Sequence, residues 1–314
     1  MSSYFGASLI VLCSALWATD ALFRKPLTGS LESSTIVFLE HCICVLVTFP
    51  FFFFKRKEIS SLNFKGWFFI LFIGIFGSAA ATLLFTSSYR HINPSIAILL
   101  QKTQPVFVLI LARFLLKEKL RREFYHWAIV VVLASTMISL PSLWSPREVL
   151  EGFPTIKKWD WISPESKKGI LYALGASLIW GICTVFGKWV SQKTSFVVIS
   201  FLRFFWGFLA LFVFWIYSNW DKNLPFSSLF FYFSQNNSAL KSILYMALLP
   251  GVLAMFMYYA GLKRTKASIA TFCEMVFPIA SVILNWKFLN QPLDAIQIAG
   301  GTLLLIAIFF ITRE

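Results

Sequence analysis

Asp20, Glu40, His41, Lys102, Arg203 and Glu274 all fall inside stretches apolar enough to cross a bilayer. An ionised side chain at the bilayer centre costs roughly 2.5–3.5 kcal/mol on insertion scales, so each asks for a partner or a water-filled path. Their types divide the chemistry: Lys102 and Arg203 can meet an anionic group, Glu274 a cationic group or a proton, and His41 a proton near neutral pH. Thr271, Glu274, Pro278, Ser281 and Asn285 recur at intervals of three and four, which places them on one helical face. Ser95, Gln101, Lys102 and Pro105 occupy overlapping turns of one side of an earlier segment. Pro105 and Pro278 each remove a backbone hydrogen bond and bend their helices, freeing carbonyls that a cavity can hydrate. Two readings of Lys102 and Glu274 remain open, direct contact with a substrate or proton and a structural ion pair.

Glu40 and Arg203 are related by a shift that recurs in the chain (203 − 40 = 163). An acid in one place and a base in the other suits the two ends of a zwitterion. Both also lie within a turn or two of a segment's start, where long side chains can reach the interface instead. His41, next to Glu40, points elsewhere on the helix and either titrates or hydrogen-bonds a neighbouring helix. Asp20 and Arg24, four apart, neutralise each other on one face. Trp17, Trp180, Tyr258 and Tyr259 either wall a site for an apolar or cationic ligand group or pack, as most of the 12 Trp do. The candidate substrate-binding set is therefore Lys102, Glu274, Gln101, Arg203, Glu40, Trp17, Trp180, Thr271 and Tyr258, with Glu274 and His41 as candidates for proton coupling.

The elements that position these residues follow from composition. Of 314 residues, 58% are hydrophobic and 13% charged, against roughly 45–50% and 25% in soluble domains. Cutting at charged and Pro/Gly/Asn-rich breaks leaves ten apolar segments of spanning length: Tyr4–Phe23, Thr35–Phe54, Gly66–Ser88, Ser95–Leu116, Phe124–Leu143, Gly169–Val190, Phe196–Tyr217, Ile243–Leu262, Ala267–Phe288 and Leu293–Thr312. Gly74, Gly77, Ser78 and Ala81, and the pair Gly300 and Gly301, suit close helix contact. The start Met-Ser-Ser-Tyr has no basic leader, so the first segment is expected to be retained. Alternate connections are rich in Lys and Arg (Lys55, Arg56 and Lys57; Lys117, Lys119, Arg121 and Arg122; Lys263, Arg264 and Lys266), which places them and both termini in the cytoplasm. The net charge of +14 is then mostly a topology signal, and no nucleic-acid partner is needed to explain it.

The sequence also repeats itself. "GASLIVLCSALWATDALFRK" and "GILYALGASLIWGICTVFGK" share Ser14/Ser177, Trp17/Trp180 and Lys25/Lys188 at a shift of 163 (180 − 17 = 163). "YRHINPSIAILLQKTQPVF" and "LKRTKASIATFCEMVFPIA" align Ser95-Ile96-Ala97 with Ser268-Ile269-Ala270, Gln101 with Glu274 and Pro105 with Pro278, at a shift of 173 (278 − 105 = 173). A duplicated unit of five crossings inserts its second copy upside down, so the expected fold is an all-α membrane protein of ten transmembrane helices in two inverted five-helix repeats. The boundaries are residues 1–143 for the first repeat, 144–168 for a connecting loop and 169–314 for the second. Such repeats carry a mid-membrane site that faces alternate sides.

The stretches "YRHINPSIAILLQKTQPVFVLILARFLLKEKL" and "GLKRTKASIATFCEMVFPIASVILNWKFLNQPLDAIQIAGGTLLLIAIFFI" resemble the two repeats of EamA-type permeases in the drug/metabolite transporter superfamily. The resemblance covers nearly the whole chain and departs from the family in one place. The Leu-Gly-Glu that often closes the fourth helix reads Leu116-Lys117-Glu118 in the first half and Leu289-Asn290-Gln291 in the second. It implies a ten-helix secondary transporter of small metabolites, with a cavity between the repeats and the fifth and tenth helices more peripheral.

Other classes fit less well. The chain has no G-x-x-x-x-G-K-[ST] loop for nucleotide drive, no G-x-S-x-G elbow and no H-E-x-x-H helix, so neither an enzyme nor a catalytic residue is expected. All five cysteines fall inside apolar segments, and Cys42 and Cys44 lack the second pair that a zinc site needs, so neither metal nor cofactor is expected. The expectation is a multi-pass transporter in the bacterial cytoplasmic (inner) membrane, moving a small polar metabolite such as an amino acid or related zwitterion by alternating access. Alternatives are an exchanger of nucleotide-like or other anionic solutes, or a membrane-embedded lipid-modifying enzyme. The expected partners are the small-molecule substrate and the lipid bilayer, with a homodimer left open.

Overall fold

A computed structural model describes residues 2–92, 94–139, 164–219, 226–289 and 295–313 as helices joined by short turns, with no strand among them. In chain order the helices are α1 (Ser2–Leu27), α2 (Ser33–Lys55), α3 (Phe64–His91), α4 (Pro94–Gln101), α5 (Gln104–Leu115), α6 (Arg122–Ser139), α7 (Pro164–Ser191), α8 (Phe196–Asn219), α9 (Phe226–Gln235), α10 (Asn237–Arg264), α11 (Ala267–Cys273), α12 (Phe277–Leu289) and α13 (Ala295–Ile311). Among the described residues six helices, α1, α2, α3, α7, α8 and α10, are long and apolar enough to cross a membrane. Their outer faces carry large exposed apolar side chains such as Phe54, Phe64 and Tyr217, as lipid contact requires.

Each apolar segment of the sequence coincides with helix, and the differences lie at ends and interiors. The sixth begins at Pro164, so the last residues of the expected 144–168 loop are helical; residues 144–163 lie outside those described, as do 140–143 of the fifth segment, 293–294 of the tenth and 290–291 of the second tripeptide. The fourth segment is two helices, broken at Lys102 and Thr103 just ahead of Pro105. The ninth is broken by a tight 3-10 turn, Glu274–Val276, just ahead of Pro278. Each break precedes a proline that cannot donate to the preceding turn. The short helix α9 was not among the ten segments, because ten residues cannot span a bilayer.

Helix starts recur at the shifts already seen in the sequence. From α2 to α8 the start moves by 163 (196 − 33), and from α3 to α10 and α5 to α12 by 173 (237 − 64, 277 − 104). The ten-residue helix α9 lies in the interval where the shift changes. Widened π turns sit at Ile73–Ala80 in α3 and Ala247–Leu253 in α10, and a carbonyl from each accepts an indole N–H. Trp17 Nε1 donates to Pro250 O and Trp180 Nε1 to Gly77 O, both at 3.0 Å. Ser14 Oγ donates to Glu274 O (2.7 Å) and Ser177 Oγ to Gln101 O (3.2 Å), satisfying carbonyls at the two helix breaks. Lys25 Nζ donates to Tyr89 O and Lys188 Nζ to Leu262 O.

Two of the helix pairs that stand at these shifts, α2 with α8 and α6 with α13, pack antiparallel. Along α2 and α8, Trp215 Nε1 donates to Thr35 Oγ1 (3.0 Å), His41 faces Phe204 at 5.7 Å, and Phe52 stacks on Phe201 at 4.0 Å, so one chain ascends as the other descends. Along α6 and α13, Trp127 stacks on Phe310 at 4.4 Å while Gln297 Nε2 donates to Ile138 O at the far end. Lipid supplies no hydrophobic drive between helices, so close packing of small residues carries the association. A methyl group on Gly74 would meet Trp206 Cβ and Arg203 O, one on Gly77 would meet Cys183 Sγ, and one on Gly300 would lie 2.9 Å from Ala134 O. Gly301, by contrast, has nothing within 4 Å and takes no part in such a contact.

At the end of the bundle where α1 starts, two carboxylates cap the helices that begin there. Glu58 accepts from Ser195 N (2.9 Å) and Thr194 Oγ1 (3.3 Å), ahead of α8. Glu118 accepts from Ala267 N (2.8 Å), Ser268 N (3.1 Å) and Ser268 Oγ (2.5 Å), ahead of α11. Both place an anion where free amides and the helix dipole favour one.

Candidate functional site

The helices enclose a cavity with about 1060 Å³ of empty space, its mouth included. Its lining comes from both halves of the chain. On one side α1 carries Asp20 and Arg24, four residues apart and therefore on one face, and α2 brings Glu40 to the same height. Arg24 Nε and Nη2 donate to the two oxygens of Asp20 (2.5 and 2.8 Å), Nη2 also to Glu40 Oε2 (2.8 Å), and Nη1 to Thr86 Oγ1 of α3 (3.3 Å). Two acids thus share one base in a low-dielectric setting, an arrangement tolerable only because the guanidinium fork serves both.

Across the cavity Arg203 of α8 donates to Tyr259 OH (3.1 Å) and to Ser78 Oγ (3.4 Å). Among the described residues no carboxylate forms an ion pair with it. His41 contacts the same Ser78 Oγ through Nε2 and Val37 O through Nδ1, both at 2.8 Å. It spends both ring nitrogens on neighbours and bridges to α3. The floor is amide and hydroxyl: Gln104 Nε2 donates to Glu274 Oε2 (2.9 Å), and Thr184 Oγ1 shares a hydrogen bond with Tyr258 OH (2.9 Å). The walls are aromatic. Trp17 tilts against Tyr258 with ring centres 5.3 Å apart, and Trp180 meets Phe85 edge-on at 5.2 Å.

A second, much smaller chamber adjoins this cavity at the two helix breaks, sharing Trp17, Gln101, Gln104, Glu274 and Phe277 with it. Lys102 and Thr271 line only this chamber. Lys102 Nζ, Thr271 Oγ1 and Glu274 Oε1 are buried there without a hydrogen-bond partner.

The candidates read from sequence therefore separate. Trp17, Trp180, Tyr258, Gln101, Glu40, Arg203, His41 and Glu274 all line the main cavity, whereas Lys102 and Thr271 sit beside it. Glu40 does not stand as a free acid opposite Arg203, because Arg24 claims it. Nor do Lys102 and Glu274 make the ion pair held open as one reading. Asp20 and Arg24, read as a mutual neutralisation, are paired as expected and also line the cavity with Thr86 and Tyr89. Gln104 was missed; its place one turn after Gln101 was the signal that could have found it.

Comparison with known proteins adds the following. Residues 4–140 and 167–313 match the EamA-like transporter family. The chain is 30% identical to the riboflavin transporter ImpX of Fusobacterium nucleatum subsp. nucleatum over 314 residues, covering 98% of this chain and 97% of that one. It is 21% identical to an uncharacterized transporter of Clostridium kluyveri, covering 96% and 91%. A solved crystal structure superposes with a TM-score of 0.71 over 98% of this chain and 97% of its own at 16% identity, a likeness of fold.

Proposed function

The chain belongs to the EamA-like transporter family, and from that premise we propose that it carries a flat heteroaromatic metabolite of the riboflavin type across the cytoplasmic membrane by alternating access. One observation carries this reading: the cavity at the meeting of the two halves is walled by aromatic rings and rimmed by hydrogen-bonding groups. Trp17, Trp180, Tyr258 and Phe277 offer faces and edges against which a ring system can stack. Arg203 offers donors to ring carbonyls, and Asp20, Glu40, Gln101 and Gln104 suit a polyhydroxyl chain. Similarity to the riboflavin transporter ImpX supports the substrate class.

The halves act as two inverted five-crossing repeats, ten crossings in all. This is supported by the constant shifts between helix starts, the paired hydrogen bonds and the antiparallel packing of α2 on α8 and of α6 on α13. The Lys/Arg-rich connections put the end where α1 starts, together with both termini, in the cytoplasm. In that orientation Asp20, Arg24 and Glu40 sit on the outer side of the cavity.

The zwitterion reading loses Glu40 to the Arg24 bond and keeps Glu274, which lines the same cavity as Arg203. An exchanger of anionic solutes keeps one supporting observation, the absence of a carboxylate partner for Arg203 among the described residues. Purified protein in proteoliposomes distinguishes the readings. Riboflavin uptake that saturates, and that falls on Trp17→Ala and Trp180→Ala, supports the flavin reading. Flux that requires a counter-loaded anion supports the exchanger, and no saturable riboflavin flux refutes the flavin proposal.

A further inference from the structure

Glu274 faces two spaces at once. Its Oε2 is held by Gln104 Nε2 at 2.9 Å on the floor of the main cavity, and its Oε1 is buried without a partner in the small chamber. In the same chamber Lys102 Nζ and Thr271 Oγ1 are also buried and unpartnered. Buried polar atoms are almost always satisfied, so three orphans around one small space mark a place built to hold something. By the measure that gives about 1060 Å³ for the main cavity its empty space is about 390 Å³, with room for water beside the three polar atoms.

The position within the fold matters equally. Lys102 lies in the break between α4 and α5, and Glu274 opens the break between α11 and α12. Both breaks are tied to the opposite half of the chain, Gln101 O by Ser177 and Glu274 O by Ser14. The other titratable groups around Glu274 are Cys13 on α1, Tyr258 on α10, Cys273 beside it on α11 and, across the cavity, Arg203 on α8. Of these only Arg203 is a base, and its donors face Tyr259 and Ser78. Lys102 is thus the cation that shares the chamber with the carboxylate.

Resting on the transporter reading above, we propose that this chamber is the coupling-proton site: one proton per cycle binds to and leaves Glu274 Oε1, with Lys102 lining the same chamber. When Glu274 is ionised it attracts the Lys102 ammonium across the chamber, and the resulting bond ties the two helix breaks together. When a proton from the outer solution neutralises Glu274 the attraction is lost and the breaks separate. The same proton leaves to the cytoplasm after the halves rock. Substrate in the main cavity communicates with this site through Gln104, which holds the other carboxylate oxygen.

Two measurements test the proposal. In proteoliposomes with an inside-alkaline gradient of one pH unit, wild-type riboflavin accumulation should approach about tenfold, the limit for one proton per substrate. In Glu274→Gln the ratio of flux with and without the gradient should fall to one, and Lys102→Met should reduce that ratio. Independently of any substrate, infrared spectroscopy should show the carbonyl band of a buried protonated carboxyl in wild type that Glu274→Gln lacks, while the variant remains monodisperse. Saturable wild-type flux that ignores the gradient overturns the proton site and leaves the transporter reading standing. Absence of any riboflavin flux refutes the earlier reading, and the infrared band then decides the chamber alone: no band sensitive to Glu274→Gln overturns it.

Discussion

Arg24 is the residue whose removal should cost most, and the cost can be worked from its contacts. Its side chain is 5% exposed, with Asp20 at 18% and Glu40 at 10%, and it donates to both carboxylates and to Thr86. Removing one partner of a buried ion pair costs about 3–5 kcal/mol, because the other charge is left uncompensated. Arg24→Met strands two acids. Water from the cavity reaches Asp20 and moderates its share, so about 3 kcal/mol is expected. Glu40→Gln keeps the two bonds to Asp20 and an amide oxygen for Arg24, so about 1 kcal/mol is expected, the size of one ordinary hydrogen bond. The double variant Arg24→Met with Glu40→Gln leaves a single stranded acid and should fall between, at about 2 kcal/mol. The singles then fail to add, as residues in one network do. Unfolding of the purified protein in mixed micelles, followed by tryptophan fluorescence against denaturing detergent, measures all three. Arg24→Met within error of Glu40→Gln, or a double variant less stable than Arg24→Met, would refute the reasoning.

Further outcomes follow from the backbone and the helix ends. Lys117 is held at φ 56 in the left-handed region, where a side chain costs about 1–2 kcal/mol, so Lys117→Gly should raise stability by about 1 kcal/mol in the same titration. A methyl group on Gly261 would lie 2.6 Å from Gly6 O and 2.8 Å from Ile10 Cγ1. Gly261→Ala should therefore wedge α1 from α10, lowering stability by about 1–3 kcal/mol as overpacking does and increasing cysteine accessibility at a reporter placed on Leu9. Glu118→Ala removes three bonds from the start of α11 and should cost about 2 kcal/mol, the upper end for a lost cap. Hydrogen exchange at Ala267 and Ser268 should accelerate with it.

Local features were the legible ones. Segment positions, the two helix-bending prolines and the recurring shifts could all be read in the residues, because bilayer thickness, helix periodicity and the missing proline N–H act over a few turns of one chain segment. The polar face from Thr271 to Glu274 was legible for the same reason. What the tertiary structure decided was partnership. Glu40 goes to Arg24, 16 residues away, and not to Arg203. Gln104 holds Glu274 across 170 residues. Lys102 stands in a chamber of its own beside the main cavity. Periodicity tells which face a side chain shares, but pairing depends on which helices cross, at what height, and how far a side chain reaches, and those distances exist only once the helices have packed.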